Sequence, residues 1–164
     1  MSLLRSIERY QLKLGDPSAK IENYLRLVDK NIDWQWALEE LEEGLSDQRV
    51  EIRPNGGYVV NGMKPQHHHV NEAARMLQRA DEDRIVKTQM YIATTIHSGM
   101  FGKHTDFGQD SIIIQGQGRT AVDVGGQYGI LEPGDMMYLR ASDKHRFTSL
   151  GPRFSITLSL EEDN

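Results

Sequence analysis

Between Arg153 and Leu160 the chain alternates without a break. Phe154, Ile156, Leu158 and Leu160 interleave with Arg153, Ser155, Thr157 and Ser159. An extended strand, whose successive side chains point to opposite sides, sorts such a run into one apolar and one polar face. The run Ile85–Ile96 alternates in the same way, with Val86, Met90, Ile92 and Ile96 on one face and Lys87, Gln89, Tyr91 and Thr95 on the other. Between these two, strands are predicted near Ser111–Gln115, Arg119–Val124, Tyr128–Leu131, Met136–Leu139 and His145–Ser149. Turn chemistry separates them: Gly116 and Gly118, Gly125-Gly126, Pro133-Gly134-Asp135 and Gly151-Pro152. Many short strands punctuated by glycine turns predict a sandwich or barrel of jelly-roll type.

The first third has another period. Leu3, Ile7, Tyr10 and Leu14 recur at helical spacing, and Asp16-Pro17 offers an N-cap and a first-turn proline to a stripe of Ile21, Tyr24, Leu25 and Val28. A third helix is predicted to start near Asp33, bury Trp34, Leu38 and Leu41, and stop at Gly44. Trp34 and Trp36 are read as packing residues rather than ligand contacts. Val50–Arg53 and Tyr58–Val60 flank Pro54-Asn55-Gly56-Gly57 as a hairpin. Val70, Ala73, Ala74 and Leu77 make a short amphipathic helix. The 164 residues therefore predict one domain over 1–164. A largely helical portion over 1–84 would pack on a jelly-roll core over 85–160, an α+β chain that is mainly β.

Composition narrows the chemistry. A formal net charge of -5 gives no basic footprint for nucleic acid. No cysteine is present, which excludes disulfides, zinc–thiolate sites and iron–sulfur clusters and leaves His, Asp or Glu to hold any metal. The opening MSLLRSIERYQLKLG carries charges throughout, and no apolar run reaches spanning length, so a cytoplasmic protein without membrane partners is expected. Barrels of this size often pair, which makes a homodimer one expected assembly.

Within that β region, His104 and Asp106 stand two residues apart and can face one cavity from an extended segment; His145, Arg153 and Ser155 follow in that order. Two imidazoles and one carboxylate form the facial triad that binds iron(II) with open coordination positions. Alternation alone would let Arg153 lie on a solvated polar face, but the joint pattern argues against that. His67-His68-His69 is a weaker candidate, because adjacent residues rarely converge on one ion. His97 is read as a loop or substrate-side residue rather than a ligand, and any compact substrate lid would come from the 97–103 loop and the N-terminal helices.

The set His104-Thr105-Asp106, His145 and Arg153-Phe154-Ser155 resembles the H-x-D…H…R-x-S motif of the 2-oxoglutarate- and iron(II)-dependent oxygenases, a branch of the cupin (double-stranded β-helix) superfamily. HRFTSLGPRFSI looks like that family's distal-histidine segment, and HTDFGQDSIIIQGQGRT with LEPGDMMYL looks like the JmjC-type ribosomal and protein hydroxylases. The resemblance covers about residues 85–160. It implies a dioxygenase of hydroxylase type, with His104, Asp106 and His145 as iron ligands. It also implies that Arg153 pairs with the far carboxylate of 2-oxoglutarate, with Ser155 and Tyr91 as further donors. Dioxygen and a small-molecule or protein side-chain substrate would be its partners. Thr120 stands where JmjC hydroxylases carry a basic residue for 2-oxoglutarate, so either Arg153 takes that task or the chain is not of that subtype.

Two alternatives stand beside it. The cupin first motif H-x-H-x3-E has the spacing of His104, Asp106 and Asp110 with two substitutions, and Pro133-Gly134-Asp135 with His145 matches the second motif. Such a protein would hold metal through His104, Asp106, Asp110 and His145 and need no 2-oxoglutarate. The other alternative is a non-catalytic ligand-binding barrel.

Overall fold

The computed structural model describes residues 33–62, 70, 74–75, 78–79, 82–96 and 102–162. The helices expected over 1–32, the His67-His68-His69 cluster and His97 lie outside the described residues. Helix α1 runs Trp34–Ser46. The strands are β1 (Val50–Arg53), β2 (Gly57–Asn61), β3 (Arg84–Ala93), β4 (Gln109–Gln117), β5 (Thr120–Val124), β6 (Gln127–Leu131), β7 (Met136–Leu139), β8 (His145–Ser149) and β9 (Arg153–Glu162).

The strands form two antiparallel sheets, a larger one in the order β1-β2-β3-β9-β4-β7 and a smaller one in the order β6-β5-β8. Ile113, Met137 and Leu139 of the first meet Val122 and Leu131 of the second in a shared core. This is the jelly-roll, cupin-type fold. The β1–β2 hairpin pairs with β3, so the larger sheet begins at Val50 rather than at Ile85.

The central strand of the larger sheet is β9, and both its faces are buried. Phe154, Ile156, Leu158 and Leu160 are fully covered on the outer face. There Trp34 meets the Phe154 ring edge-on at 5.2 Å, and Trp36 lies against it at 6.0 Å, which fits their reading as packing residues. The polar face, with Arg153, Ser155 and Thr157, lines the space between the sheets.

Helix α1 starts where sequence placed it: Asp33 is the N-cap, and its carboxylate accepts from the Trp36 amide at 3.0 Å. Its buried face differs from expectation. Ala37, Glu40 and Gly44 are buried while Leu38 is 54% exposed. Small residues win this face because the helix lies close on the hairpin. A Cβ on Gly44 would stand 2.9 Å from both Val50 and Val60. The helix also continues past Gly44 to Ser46.

One irregularity shapes the site. The β4–β9 register shifts between Gln115 and Gln117, a bulge at Gly116. A Cβ on Gly116 would lie 2.0 Å from the Phe154 ring, so only glycine lets β4 pass over that side chain.

Candidate metal centre and anion pocket

His145 opens β8, and His104 pairs with it outside any strand. The two residues exchange backbone hydrogen bonds, His104 N to His145 O at 2.9 Å and His145 N to His104 O at 2.8 Å. Directly paired residues of an antiparallel bridge point the same way, and here both rings face inward, with centroids 4.5 Å apart. Asp106 follows on the same side. A turn then closes from Asp106 to Gln109, and Gly108 takes the positive φ it needs, +75°. One ligand atom from each of His104, Asp106 and His145 falls within 4.8 Å of the others.

The donor set is prepared for a cation. His104 Nδ1 lies 2.8 Å from the Gly102 carbonyl, and His145 Nδ1 lies 2.8 Å from the Asp143 carbonyl. A carbonyl can only accept, so each Nδ1 carries a proton, and each neutral ring then offers the Nε2 lone pair. Both Nε2 atoms face the Asp106 carboxylate, at 3.4 Å from His104 and 3.3 Å from His145. Lone pairs opposite a carboxylate repel unless a proton or a metal ion sits among them. The titration of Asp106 and His145 reflects this. The His145 hydrogen bond first, partly opposed by burial, then the charges of both histidines hold Asp106 below the ordinary carboxylate range. Burial works to lower the His145 pKa, but the hydrogen bonds and charges of Asp106 and Asp143 outweigh it and the net shift is upward. The Asp143 loop is itself fixed, because its carboxylate accepts from the Arg140 amide and guanidinium.

Asp110 does not join them, which corrects the four-ligand alternative. On β4 it has the opposite parity from Gln109 and Ser111, which face the cavity. Its carboxylate is instead taken up by Arg84, by the Tyr138 hydroxyl at 2.8 Å and by the Ala141 amide at 2.8 Å.

The three residues open into a cavity of about 390 Å³ between the sheets. Arg153 lies on its wall, only 6% exposed, which removes the solvated reading of that residue. Its Nε donates to Ser149 Oγ at 2.9 Å and its Nη1 to Ser155 Oγ at 2.8 Å. Ser155 Oγ and Thr120 Oγ1 both converge on Gln115 Oε1, at 3.2 and 3.1 Å. Among the described residues no carboxylate pairs with Arg153, and Nη2 has no acceptor. Burial alone lowers the guanidinium to about 10. Ser149 and His145 are the two ends of β8, about 13 Å of strand. One cavity thus has metal-type donors at one end of that strand and an unbalanced buried cation at the other.

Tyr91 pairs with Ser155 across β3 and β9, lines the cavity and donates its hydroxyl to Gln89 at 3.1 Å. Burial, then the nearby Asp106 and Glu51 charges against that of Arg53, raise its pKa, so it stays a donor. Sequence reasoning missed Gln115, Ser149 and Thr120 as members of the Arg153 socket. A hint existed: Gln115 ends a triple-isoleucine run in a strand that must be buried.

No protein-family profile and no curated protein sequence matches the chain. Solved structures do. YcfD, a ribosomal oxygenase from Escherichia coli, superposes with a TM-score of 0.56 at 22% identity over 70% of this chain and 34% of that one. YcfD in complex with cobalt and succinic acid gives 0.50 at 23% identity, over 70% of this chain and 34% of that one. An RmlC-like cupin from Shewanella frigidimarina gives 0.50 at 11% identity, over 70% of this chain and 84% of that one. At these identities the likeness is one of fold. The chain spans about a third of the length of the ribosomal oxygenase.

Proposed function

We propose that the chain is an iron(II)- and 2-oxoglutarate-dependent oxygenase that hydroxylates a small molecule or a protein side chain. The observation that carries this reading is Arg153: a buried guanidinium with no carboxylate partner among the described residues, on the wall of the cavity that also gathers His104, Asp106 and His145. A cavity built around an uncompensated cation calls for an anion. The fork geometry of Arg suits a carboxylate. The three-ligand set calls for a divalent metal that keeps open positions. A ligand reaching from one to the other must carry a carboxylate at the far end and metal-binding oxygens at the near end, which describes a keto dicarboxylate. The neighbour solved in complex with cobalt and succinic acid holds a metal and a dicarboxylic acid in that protein.

In this reading His104, Asp106 and His145 hold the metal through Nε2, carboxylate and Nε2. The Gly102 and Asp143 carbonyls fix both rings in the metal-binding tautomer. Iron(II) with 2-oxoglutarate supplies oxidative decarboxylation to succinate coupled to hydroxylation by dioxygen. Arg153, Ser155 and Tyr91 hold the co-substrate's far carboxylate, and Ser149, Gln115 and Thr120 keep Arg153 and Ser155 aimed at it. Leu131, Leu139 and Phe147 add apolar lining to the same cavity.

Native mass spectrometry under argon tests the proposal. Manganese(II) and 2-oxoglutarate should appear together on the protein, and 2-oxoglutarate should be lost when metal is removed. Metal-independent retention of 2-oxoglutarate, or none at all, contradicts it.

A further inference from the structure

The first metal ligand sits in no strand. Its backbone exchanges two hydrogen bonds with His145 at the edge of the smaller sheet. On the outer side of that sheet, however, a charged row runs across the same place. Asp123 of β5 is directly opposite Arg146 of β8, and the His104–His145 bridge puts Lys103 next to Arg146 on the other side. Lys103 does not stop at its neighbour. Its Nζ crosses β8 and reaches both oxygens of Asp123, at 3.2 and 3.1 Å, whereas Arg146 stands 3.8 Å from the same carboxylate. The Asp123 side chain is only 6% exposed, and its Oδ1 also accepts from the Gly126 amide at 3.2 Å in the β5–β6 turn.

We propose that the Lys103–Asp123 pair is a strap that positions His104 for the metal. Resting on the metal-site reading above, it makes Lys103 and Asp123 positioning residues that never touch the ion. Lys103 points out because His104 points in, so pulling Lys103 down onto β5 presses the His104 segment onto β8 and sets the imidazole at the height of His145. Lysine suits this task, since a long flexible stem can span an intervening strand and end in a compact charge. Asp123 suits it because a mostly buried carboxylate fixed by a turn amide is a rigid anchor.

The strap and plain electrostatics predict opposite signs. Lys103 is a cation near a cation site, so deleting its charge by itself should tighten metal binding. The strap predicts that Lys103→Met weakens it, by about three- to tenfold, less than the ~10- to 100-fold typical of direct partners of a ligand. Lys103→Arg, which keeps the charge and the reach, should stay near wild type. Arg146→Met, which removes a neighbouring cation but leaves the strap, should bind as tightly as wild type or more tightly. The readout is manganese(II) affinity by electron paramagnetic resonance on the full chain, with melting of the metal-free variants alongside. Wild-type manganese affinity in Lys103→Met, or equal losses in Lys103→Met and Arg146→Met, overturns the strap and leaves the metal site standing. Absence of manganese binding by the wild type overturns both.

Discussion

Replacing Arg153 by methionine keeps most of the stem volume and removes the guanidinium. Two consequences of opposite sign follow from its surroundings. In the empty protein the charge is a burden: burial takes the guanidinium down from its ordinary value to about 10. That difference corresponds to roughly 3 kcal/mol against the charged form. The hydrogen bonds to Ser149 and Ser155 give back about 1 kcal/mol each. Arg153→Met should therefore leave the ligand-free protein as stable as wild type or about 1 kcal/mol more stable, as expected where function holds strain in place. With 2-oxoglutarate the balance reverses. Truncating one partner of a buried charge pair costs about 3–5 kcal/mol, or two to four decades of affinity. Arg153→Lys keeps the charge, but an ammonium cannot serve Ser149, Ser155 and a carboxylate with the geometry of the fork, and should fall between. Calorimetric titration of 2-oxoglutarate into manganese-loaded, oxygen-free protein measures the loss, and melting of the unloaded variants measures the gain. Wild-type 2-oxoglutarate affinity in Arg153→Met would refute the reasoning, and so would a large loss of stability in its ligand-free form.

The remaining expectations concern the metal and its neighbours. Alanine at His104, Asp106 or His145 should abolish tight manganese(II) binding with little change in far-ultraviolet circular dichroism. Asp110→Asn should keep manganese affinity but lower stability by about 1–3 kcal/mol, since it removes the charge that Arg84 pairs with and leaves one acceptor oxygen for Arg84, the Tyr138 hydroxyl and the Ala141 amide; metal loss there would restore the four-ligand alternative. The Asp110 carboxyl, for which burial is outweighed by the Ala141, Arg84 and Tyr138 hydrogen bonds, has a depressed pKa. Its stabilising contribution is full above the ordinary value of about 3.9 and lost as pH falls through the folded one, which acid melts of wild type against Asp110→Asn will show. His145 runs the other way. Its raised pKa stabilises the metal-free protein fully below about 6.5, and that contribution fades as pH climbs through the folded value. Manganese must displace that proton, so its affinity should rise with pH across the same window and level off above it, in titrations at fixed ionic strength.

Much of this arrangement is local in origin and so was legible in the chain. The β9 alternation, the glycine turns and the Asp33 cap each act over a few residues, and the strands they delimit lie close to where they were expected. His104, Asp106 and His145 could be grouped because their order and parity are sequence properties. What was not legible depends on contacts between distant segments. Leu38 lost its place to Ala37 because the approach of α1 to Val50 and Val60 rewards small side chains. Asp110 has cupin-like spacing, yet strand parity turns it toward Arg84 and Tyr138. The Arg153 socket draws on β4, β5, β8 and β9, which no window of sequence brings together. The polar face of β9 resembled a solvated face because alternation reports two faces without saying which sheet covers each.

The central claim is that one cavity binds a metal through His104, Asp106 and His145 and 2-oxoglutarate through Arg153. The most direct measurement is the visible absorption spectrum of the anaerobic protein titrated with iron(II) and then with 2-oxoglutarate. Chelation of the iron by the keto acid should produce a broad metal-to-ligand charge-transfer band in wild type. The band should be absent in Asp106→Ala at any 2-oxoglutarate concentration and recoverable in Arg153→Met only at far higher concentration. A wild-type protein that binds iron(II) yet shows no such band at saturating 2-oxoglutarate would contradict the account.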